Sequence, residues 1–273
     1  YILGKKISDM DLPSQVIDIL DRFSKFNVGV YDPPYHHHEM ALTSFFRDKR
    51  DLIVSTGTGS GKTEVFLYSI LGNLALEAFR NKTTKTRGMR AIILYPMNAL
   101  VSDQLSRLRK LFGNPQVAES LREKYGRTVQ FGMYTSRAPY HGEYDVNKND
   151  RHLKEVFDYY CDIMEKDPDL FNELKKRGKI PVKDIVGFRS KNKRKETQYR
   201  TQPYDVELYT RQEMHHPNEY GGIPDLLVTN YSMLEYMLLR GIEQPFFDST
   251  SKWLSEDKDN QLTIVIDEAH LYK

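Results

Sequence analysis

Thr56-Gly57-Thr58-Gly59-Ser60-Gly61-Lys62-Thr63 is a glycine-rich turn joining a short apolar run, Asp51-Leu52-Ile53-Val54-Ser55, to a longer stretch that opens at Glu64. Alternate glycines let the backbone curl until successive N–H groups converge, and a helix starting at the turn adds the positive end of its dipole. Such a concavity suits an anion, and the next residues specify which one. Lys62 can reach the β and γ phosphates of a nucleoside triphosphate, and the Thr63 hydroxyl can ligate Mg²⁺. Residues 51–55 read as a strand, while Val65, Phe66, Leu67, Ile70, Leu71 and Leu74 put apolar side chains on several faces of a helix packed on a sheet. The strict phosphate-loop pattern begins with glycine; this chain has Thr56 there and meets the relaxed form.

A chain of 273 residues is long enough for one large or two ordinary domains with a substantial core. With 40 basic and 38 acidic side chains the net charge is only +2, so a surface for a polyanion must come from local clustering. The single cysteine, Cys161, excludes an internal disulfide framework and leaves a zinc site without thiolates, which fits a reducing cytoplasm. The longest apolar stretches, such as Ala91 to Pro96, are of strand length, and nothing reads as a signal peptide or a spanning helix. A soluble cytoplasmic protein without membrane contact is expected. Because Lys273 comes just after an expected site loop, the chain is expected to be part of a longer protein.

Val16, Ile19, Leu20 and Phe23 recur at helical spacing after Pro13 and Ser14, predicting a helix over 14–25 within an N-terminal extension, 1–30. A loop with Pro33, Pro34, His36, His37 and His38 follows, then a helix from Glu39 to Phe46. After the phosphate loop come helix 62–79, strand 91–95, helix 98–112, a second amphipathic stretch, strand 128–134, strand 225–229, helix 232–240 and strand 262–267. Strands alternating with helices predict an α/β domain over 31–139 and 206–273, with a parallel sheet covered by helices on both faces. Met233, Leu234, Met237 and Leu238 are assigned to its core. Residues 140–205 break the rhythm and read as an insertion. Leu153, Phe157, Tyr160 and Met164 share a helical face there, so the insertion is partly helical. Arg189, Lys191, Lys193, Arg194, Lys195 and Arg200, opposed only by Glu196, read as a mobile basic loop.

Ile264-Val265-Ile266-Asp267-Glu268-Ala269-His270 is an apolar strand delivering two carboxylates and a histidine at its carboxyl end, where open parallel sheets bind their ligands. Asp267 would hold the Mg²⁺ bound by Thr63, and Glu268 would orient and deprotonate the water that attacks the γ-phosphate. Two adjacent carboxylates are needed because one stays ionised on the metal while the other handles a proton. His270 stands where it can sense the γ-phosphate.

Ser55 to Glu64 together with Asp267-Glu268-Ala269-His270 resembles motifs I and II of superfamily 2 DEAH-type helicases. Tyr95-Pro96-Met97-Asn98-Ala99-Leu100-Val101-Ser102-Asp103-Gln104 is similar to motif Ia, and Thr229-Asn230-Tyr231-Ser232-Met233-Leu234-Glu235-Tyr236 to the single-strand-contacting motif. Thr210-Arg211-Gln212-Glu213-Met214 precedes the latter as in the Lhr-like branch of large bacterial helicases, which includes repair helicases and motor subunits of the anti-phage systems DISARM and Druantia. The resemblance covers about residues 30–135 and 208–271 and leaves the insertion outside.

The resemblance implies a RecA-like P-loop NTPase lobe, the first motor domain of an ATP-dependent helicase or translocase, most readily one acting on single-stranded or partly duplex DNA in repair or phage defence. Thr56, Gly57, Thr58, Gly59, Ser60, Gly61, Lys62, Thr63 and Glu64 would hold ATP; Lys62, Asp267, Glu268 and His270 would carry the chemistry; Thr63 and Asp267 would hold Mg²⁺. In this family the segment before motif I often reads His-Gln-x-x-Ala, the glutamine reading adenine. Here it is His37-His38-Glu39-Met40-Ala41, so His38 takes that place, and an imidazole can still bond to adenine. Strand contacts fall on Pro96, Asn98, Gln104, Arg107, Thr229, Asn230 and Tyr231, with Arg137 and Arg211 as further candidates. The basic run is either a solvated loop or a grip on a duplex or displaced strand. The same motifs serve RNA helicases, and a nucleotide-gated module docking a protein through 140–205 is another reading. Motors of this kind bind ATP between two lobes and take an arginine from the second, so the isolated chain is expected to bind ATP weakly and hydrolyse it slowly.

Overall fold

The computed structural model describes residues 2–57, 59–139, 150–191, 197–215 and 219–272. They form two compact units, 1–84 and 85–273.

The first unit is helical. Pro13 precedes α1 (Ser14–Ser24), whose Val16, Ile19, Leu20 and Phe23 form one fully buried stripe. α2 (His36–Phe46) begins at His36 rather than at Glu39, so the histidines lie in its first turn and not in a loop. Residues near the chain start explain the earlier start: Ile2 accepts the amide of His36 (2.9 Å), which satisfies a helix-start N–H, and Gly4 N donates to Pro34 O. α3 (Lys62–Arg80) packs on both helices and buries Val65, Tyr68, Ile70, Leu71 and Leu74. Gly72 permits the closest approach, since a Cβ there would lie 2.3 Å from the buried Phe46 ring. The strand expected at 51–55 is not formed: its residues join neither sheet, and Ile53 is 101% exposed. Apolar alternation makes a segment competent for a ladder, but pairing requires a neighbour, and none of the described strands provides it.

In the second unit β1 (Ala91–Tyr95), β2 (Phe131–Tyr134), β5 (Glu207–Leu208), β6 (Leu226–Asn230) and β7 (Thr263–Ile266) form a parallel sheet in the order β5-β2-β6-β1-β7. β1 is hydrogen-bonded on both sides and wholly buried, which accounts for its unbroken apolar run. Tyr95 pairs with Asn230 and Leu94 with Ile266, so the loops after β1, β6 and β7 leave from one edge. α4 (Asn98–Phe112) and α5 (Pro115–Tyr125) lead from β1 to β2, while α10 (Tyr231–Leu239) and α11 (Gln244–Glu256) lead from β6 to β7. Ile92, Leu94 and Leu227 pack with Met233, Met237 and Phe246 on one face of the sheet. Leu238, expected in this core, is 60% exposed because it lies on the far side of α10. At the amino edge, fully buried Asp225 receives Arg127 through Nη1 and Nη2 (2.7 and 2.5 Å), the Gln130 amide (2.9 Å), and Arg90 at 3.4 Å.

The insertion has an apolar cluster of its own. α6 (Asp150–Lys166), α7 (Pro168–Lys176) and α8 (Ile185–Phe188) enclose Leu153, Phe157, Ile163, Ile180, Ile185 and Phe188. The flanks of the basic run are not a loose loop: β3 (Arg189–Lys191) and β4 (Thr197–Tyr199) pair antiparallel. Tyr199 packs on Phe188 and Phe157, with ring centroids 5.5 and 6.2 Å apart, and Arg189 pairs with Asp158, so aromatic anchors distant in sequence hold both flanks. Lys193, Arg194 and Lys195 of that run lie outside the described residues. Buried ion pairs tie the insertion to the sheet. The fully buried Lys183 ammonium meets Glu213 (2.6 Å) and Asp205 (3.4 Å), and Arg109 of α4 donates twice to Glu207 of β5 (2.8 and 2.6 Å).

Burial works against ionisation of Asp225, but Arg127 and Arg90 outweigh it and hold its pKa at about 2. Its contribution to stability is complete above the ordinary carboxylate range and is lost as pH falls towards about 2. Asp225→Ala should cost about 3–5 kcal/mol at neutral pH by removing the buried carboxylate that neutralises Arg127 and Arg90. Urea unfolding followed through Trp253, the buried single tryptophan, reads this directly; a change below about 1 kcal/mol would refute it.

Candidate nucleotide and strand-contact elements

The glycine-rich loop, expected to hold phosphate, belongs to the first unit. Gly59 and Gly61 have φ of 73° and 82°, the left-handed region where other residues are strained, and Gly61 caps α3 so that Lys62 and Thr63 open the helix. Thr56 Oγ1 and Ser60 Oγ are 2.5 Å apart, and Lys62 Nζ donates to the Thr56 carbonyl (3.1 Å), closing the loop on itself. Ser60 is buried and Thr63 is 9% exposed; Thr58 lies outside the described residues. Glu64 lies in the first turn of the helix, its amide donating to Gly61 O.

His38, placed by its sequence position where a base would be read, is instead 1% exposed and donates from Nε2 to the Gly61 carbonyl (2.9 Å). A Cβ on Gly61 would meet that nitrogen at 2.9 Å. Burial, reinforced by neighbouring His37, lowers the His38 pKa to about 4, against the opposing pull of the Gly61 bond. At neutral pH the ring is therefore uncharged, with its proton on Nε2 and Nδ1 left as a bare acceptor. Nδ1 is buried with no hydrogen-bond partner among the described residues. His38 braces the loop from beneath.

The acidic loop belongs to the second unit. β7 ends at Ile266, and the Asp267 amide continues its ladder to Leu94 O (3.0 Å). Glu268 has φ of 50° and donates its amide to Asp267 Oδ1 (2.9 Å), an uncommon backbone for a glutamate that turns the chain off the sheet into the 3-10 turn Ala269–Leu271. His270 Nδ1 is 3.5 Å from Glu268 Oε2, and both side chains are exposed. Burial, then the charge of Asp267, holds up the pKa of two neighbouring phenols, that of Tyr95 well above its usual range and that of Tyr272 to about 12. Thr63 offers a hydroxyl oxygen and Asp267 a carboxylate, donors that fit Mg²⁺, and the left-handed glycines with the α3 amino terminus fit a phosphate chain.

Asn98 and Asn230, both expected to face a nucleic-acid backbone, face each other. Asn230 Nδ2 donates to Asn98 Oδ1 (2.7 Å), Asn230 Oδ1 caps α10 by accepting from Met233 N (2.8 Å), and Asn98 Nδ2 donates to Ser136 Oγ (3.2 Å). Thr229 is fully buried with its hydroxyl on the Tyr134 carbonyl (2.6 Å), so it braces the loop from within. Arg107 is exposed, Tyr231 is 55% exposed, and Pro96 and Gln104 are half-buried. Arg137 is exposed as well, whereas Arg211 is 3% exposed, stacked on Tyr134 and bonded to the Thr135 carbonyl, which makes it a core residue. Ser136 escaped sequence reading because a lone serine after a strand carries no pattern.

Residues 35–136 match the family model of the DEAD/DEAH box helicases. Druantia protein DruE of Escherichia coli is 40% identical over 294 aligned positions, which take in 100% of this chain and 16% of that protein. The chain thus spans 16% of the length of this relative. Among the described residues no helix is long and apolar enough to cross a membrane.

The lowered pKa of His38 sets a pH dependence. The unfolded imidazole takes a proton below about pH 6.5 and the folded one only near pH 4, so the stability it gives is full above 6.5 and lost between these values. Thermal unfolding from pH 7 to 4 should show this loss. His38→Gln, which keeps an amide donor for Gly61, should flatten it; an identical acid profile in wild type and variant would refute the assignment.

Proposed function

We propose, from the match of residues 35–136 to the DEAD/DEAH box helicases and the likeness to Druantia protein DruE, that this chain is the amino-terminal motor lobe of a cytoplasmic superfamily 2 DNA helicase or translocase, driving single-strand movement by ATP hydrolysis in anti-phage defence or DNA repair. The observation that carries this reading is the register of β6, β1 and β7. It brings Asn98, Asn230 and Tyr231 to the sheet edge from which Asp267 and Glu268 emerge. Defence is favoured over repair by the likeness to Druantia protein DruE.

In this reading Lys62 would bind the β and γ phosphates, the N–H groups of Gly59 to Thr63 would line the cradle, and His38 keeps the Gly61 carbonyl from turning into it. Thr63 and Asp267 would each offer Mg²⁺ an oxygen ligand. ATP and Mg²⁺, when bound, supply the transferable phosphoryl group and neutralise its charge. Glu268 accepts the proton of the attacking water, its exposed carboxylate aimed by the left-handed turn, and His270 beside it relays the state of the site. The exposed residues Arg107 and Tyr231 meet the strand directly, while Asn98, Thr229 and Asn230 hold them in place. A protein partner on 140–205 is a second reading, favoured by the insertion's separate apolar cluster.

Turnover by the full-length protein, with and without single-stranded DNA, tests the assignment. Lys62→Ala and Glu268→Gln should each lower DNA-stimulated hydrolysis by about 10²- to 10⁴-fold. Wild-type turnover in both variants would remove these residues from the site. Competition between matched DNA and RNA strands decides the nucleic acid.

A further inference from the structure

Tyr272 is the first residue beyond the 3-10 turn that follows the acidic loop, so only Ala269, His270 and Leu271 separate it from Glu268. Its ring meets Tyr231 edge-on, with centroids 6.0 Å apart and planes at 79°. Tyr231 opens α10 and is the exposed aromatic among the strand-contact residues, 55% accessible. The loop that carries Tyr231 has little freedom, because Asn230 is bonded both to Asn98 and to the first turn of α10. Tyr272, by contrast, rides on the segment that carries Asp267 and Glu268.

The surroundings of Tyr272 point the same way. Its phenol is raised first by burial and then by the charge of Asp267, so it lies within the field of that carboxylate. The hydroxyl is buried with no hydrogen-bond partner among the described residues, which leaves ring packing as the contact that orients the side chain. Tyr95, 2% exposed, is raised first by burial and then by Asp267, and it also feels Arg107, Tyr272 and Asp103. Tyr272 thus feels the acidic loop and touches the first residue of α10.

We propose that Tyr272 is a positioning residue: its edge-on contact makes the acidic loop set the orientation of Tyr231 towards a nucleic-acid strand. The inference rests on the strand contact proposed above and adds the side chain through which the hydrolytic loop reaches it. A displacement of Asp267 or Glu268 is carried across a single turn to Tyr272 and from there to Tyr231. By linkage, a strand held against Tyr231 acts back on the acidic loop to the same extent.

The test uses full-length protein, steady-state ATP hydrolysis and a thymidine oligonucleotide. Tyr272→Ala should leave hydrolysis without DNA within about twofold and raise the half-saturating oligonucleotide concentration about three- to tenfold, the range an edge-to-face aromatic pair supports. Tyr272→Phe keeps the ring and should restore the wild-type DNA dependence. In a Tyr231→Ala background, Tyr272→Ala should produce no further rise, because the contact is already gone. Unchanged DNA dependence in Tyr272→Ala would overturn the proposal, as would an equal fall of basal and stimulated turnover. Wild-type hydrolysis indifferent to every strand would instead overturn the proposed function, and this inference with it.

Discussion

Ala91–Tyr95 is hydrogen-bonded along both edges, to Leu226–Asn230 on one side and Thr263–Ile266 on the other, and the placing of Asn98, Asn230 and Asp267 depends on these two ladders. A strand paired on both sides and covered on both faces has every backbone group satisfied and every side chain out of water, so its register does not drift. Register is what matters here. Tyr95 opposite Asn230 and Leu94 opposite Ile266 bring three loops, far apart in the chain, to one edge within side-chain reach. At the opposite edge Asp225 and its arginines secure the same strands by charge rather than by packing.

Charge is used in the same way where the insertion joins the sheet. Taking Lys183, Asp205 and Glu213 out of water is costly, and their mutual attraction offsets that cost only at close range. Burial lifts the Asp205 pKa to about 6 even with the lysine beside it, which shows how closely balanced the group is. Such a cluster adds little net stability, but it strongly penalises any arrangement that leaves one charge unpaired. Arg109 on Glu207 extends that constraint to α4, the helix that begins at Asn98. The insertion thus bears on the helix that carries Asn98, Gln104 and Arg107.

Much of this was legible in the sequence. The phosphate loop, the helix after it, the buried strand 91–95, helix 98–112 and the acidic strand end all carry local signals: glycines for left-handed turns, 3.6- and 2-residue periods, and a cap at Asn230. The strand expected at 51–55 did not form, and two further readings met contacts that are not local. Residues 51–55 have a strand's composition without a ladder among the described strands. The basic run drew attention to its charges, while Phe157 and Phe188, which hold its flanks, stand outside it. His38 was compared with a glutamine that reads a base, yet burial turned it onto Gly61.

The sequence by itself determined the helices that begin at Ser14, Lys62 and Asn98, the buried strand Ala91–Tyr95, where the glycine turn lies, and which carboxylates end a strand. Those outcomes depend on backbone torsions and on the face of an element that must leave water, and both are written within a few residues. Only the tertiary structure decided that Asn98 bonds Asn230, that Thr229 and Arg211 turn inward, that Arg109 holds Glu207, and that Tyr272 rests on Tyr231. Periodicity specifies a face and not a partner, because an apolar stripe gains nearly the same from any surface that excludes water. Partners are chosen by hydrogen bonds, rings and charges whose geometry tolerates errors of tenths of an ångström, and only the ladder register brings residues distant in sequence that close.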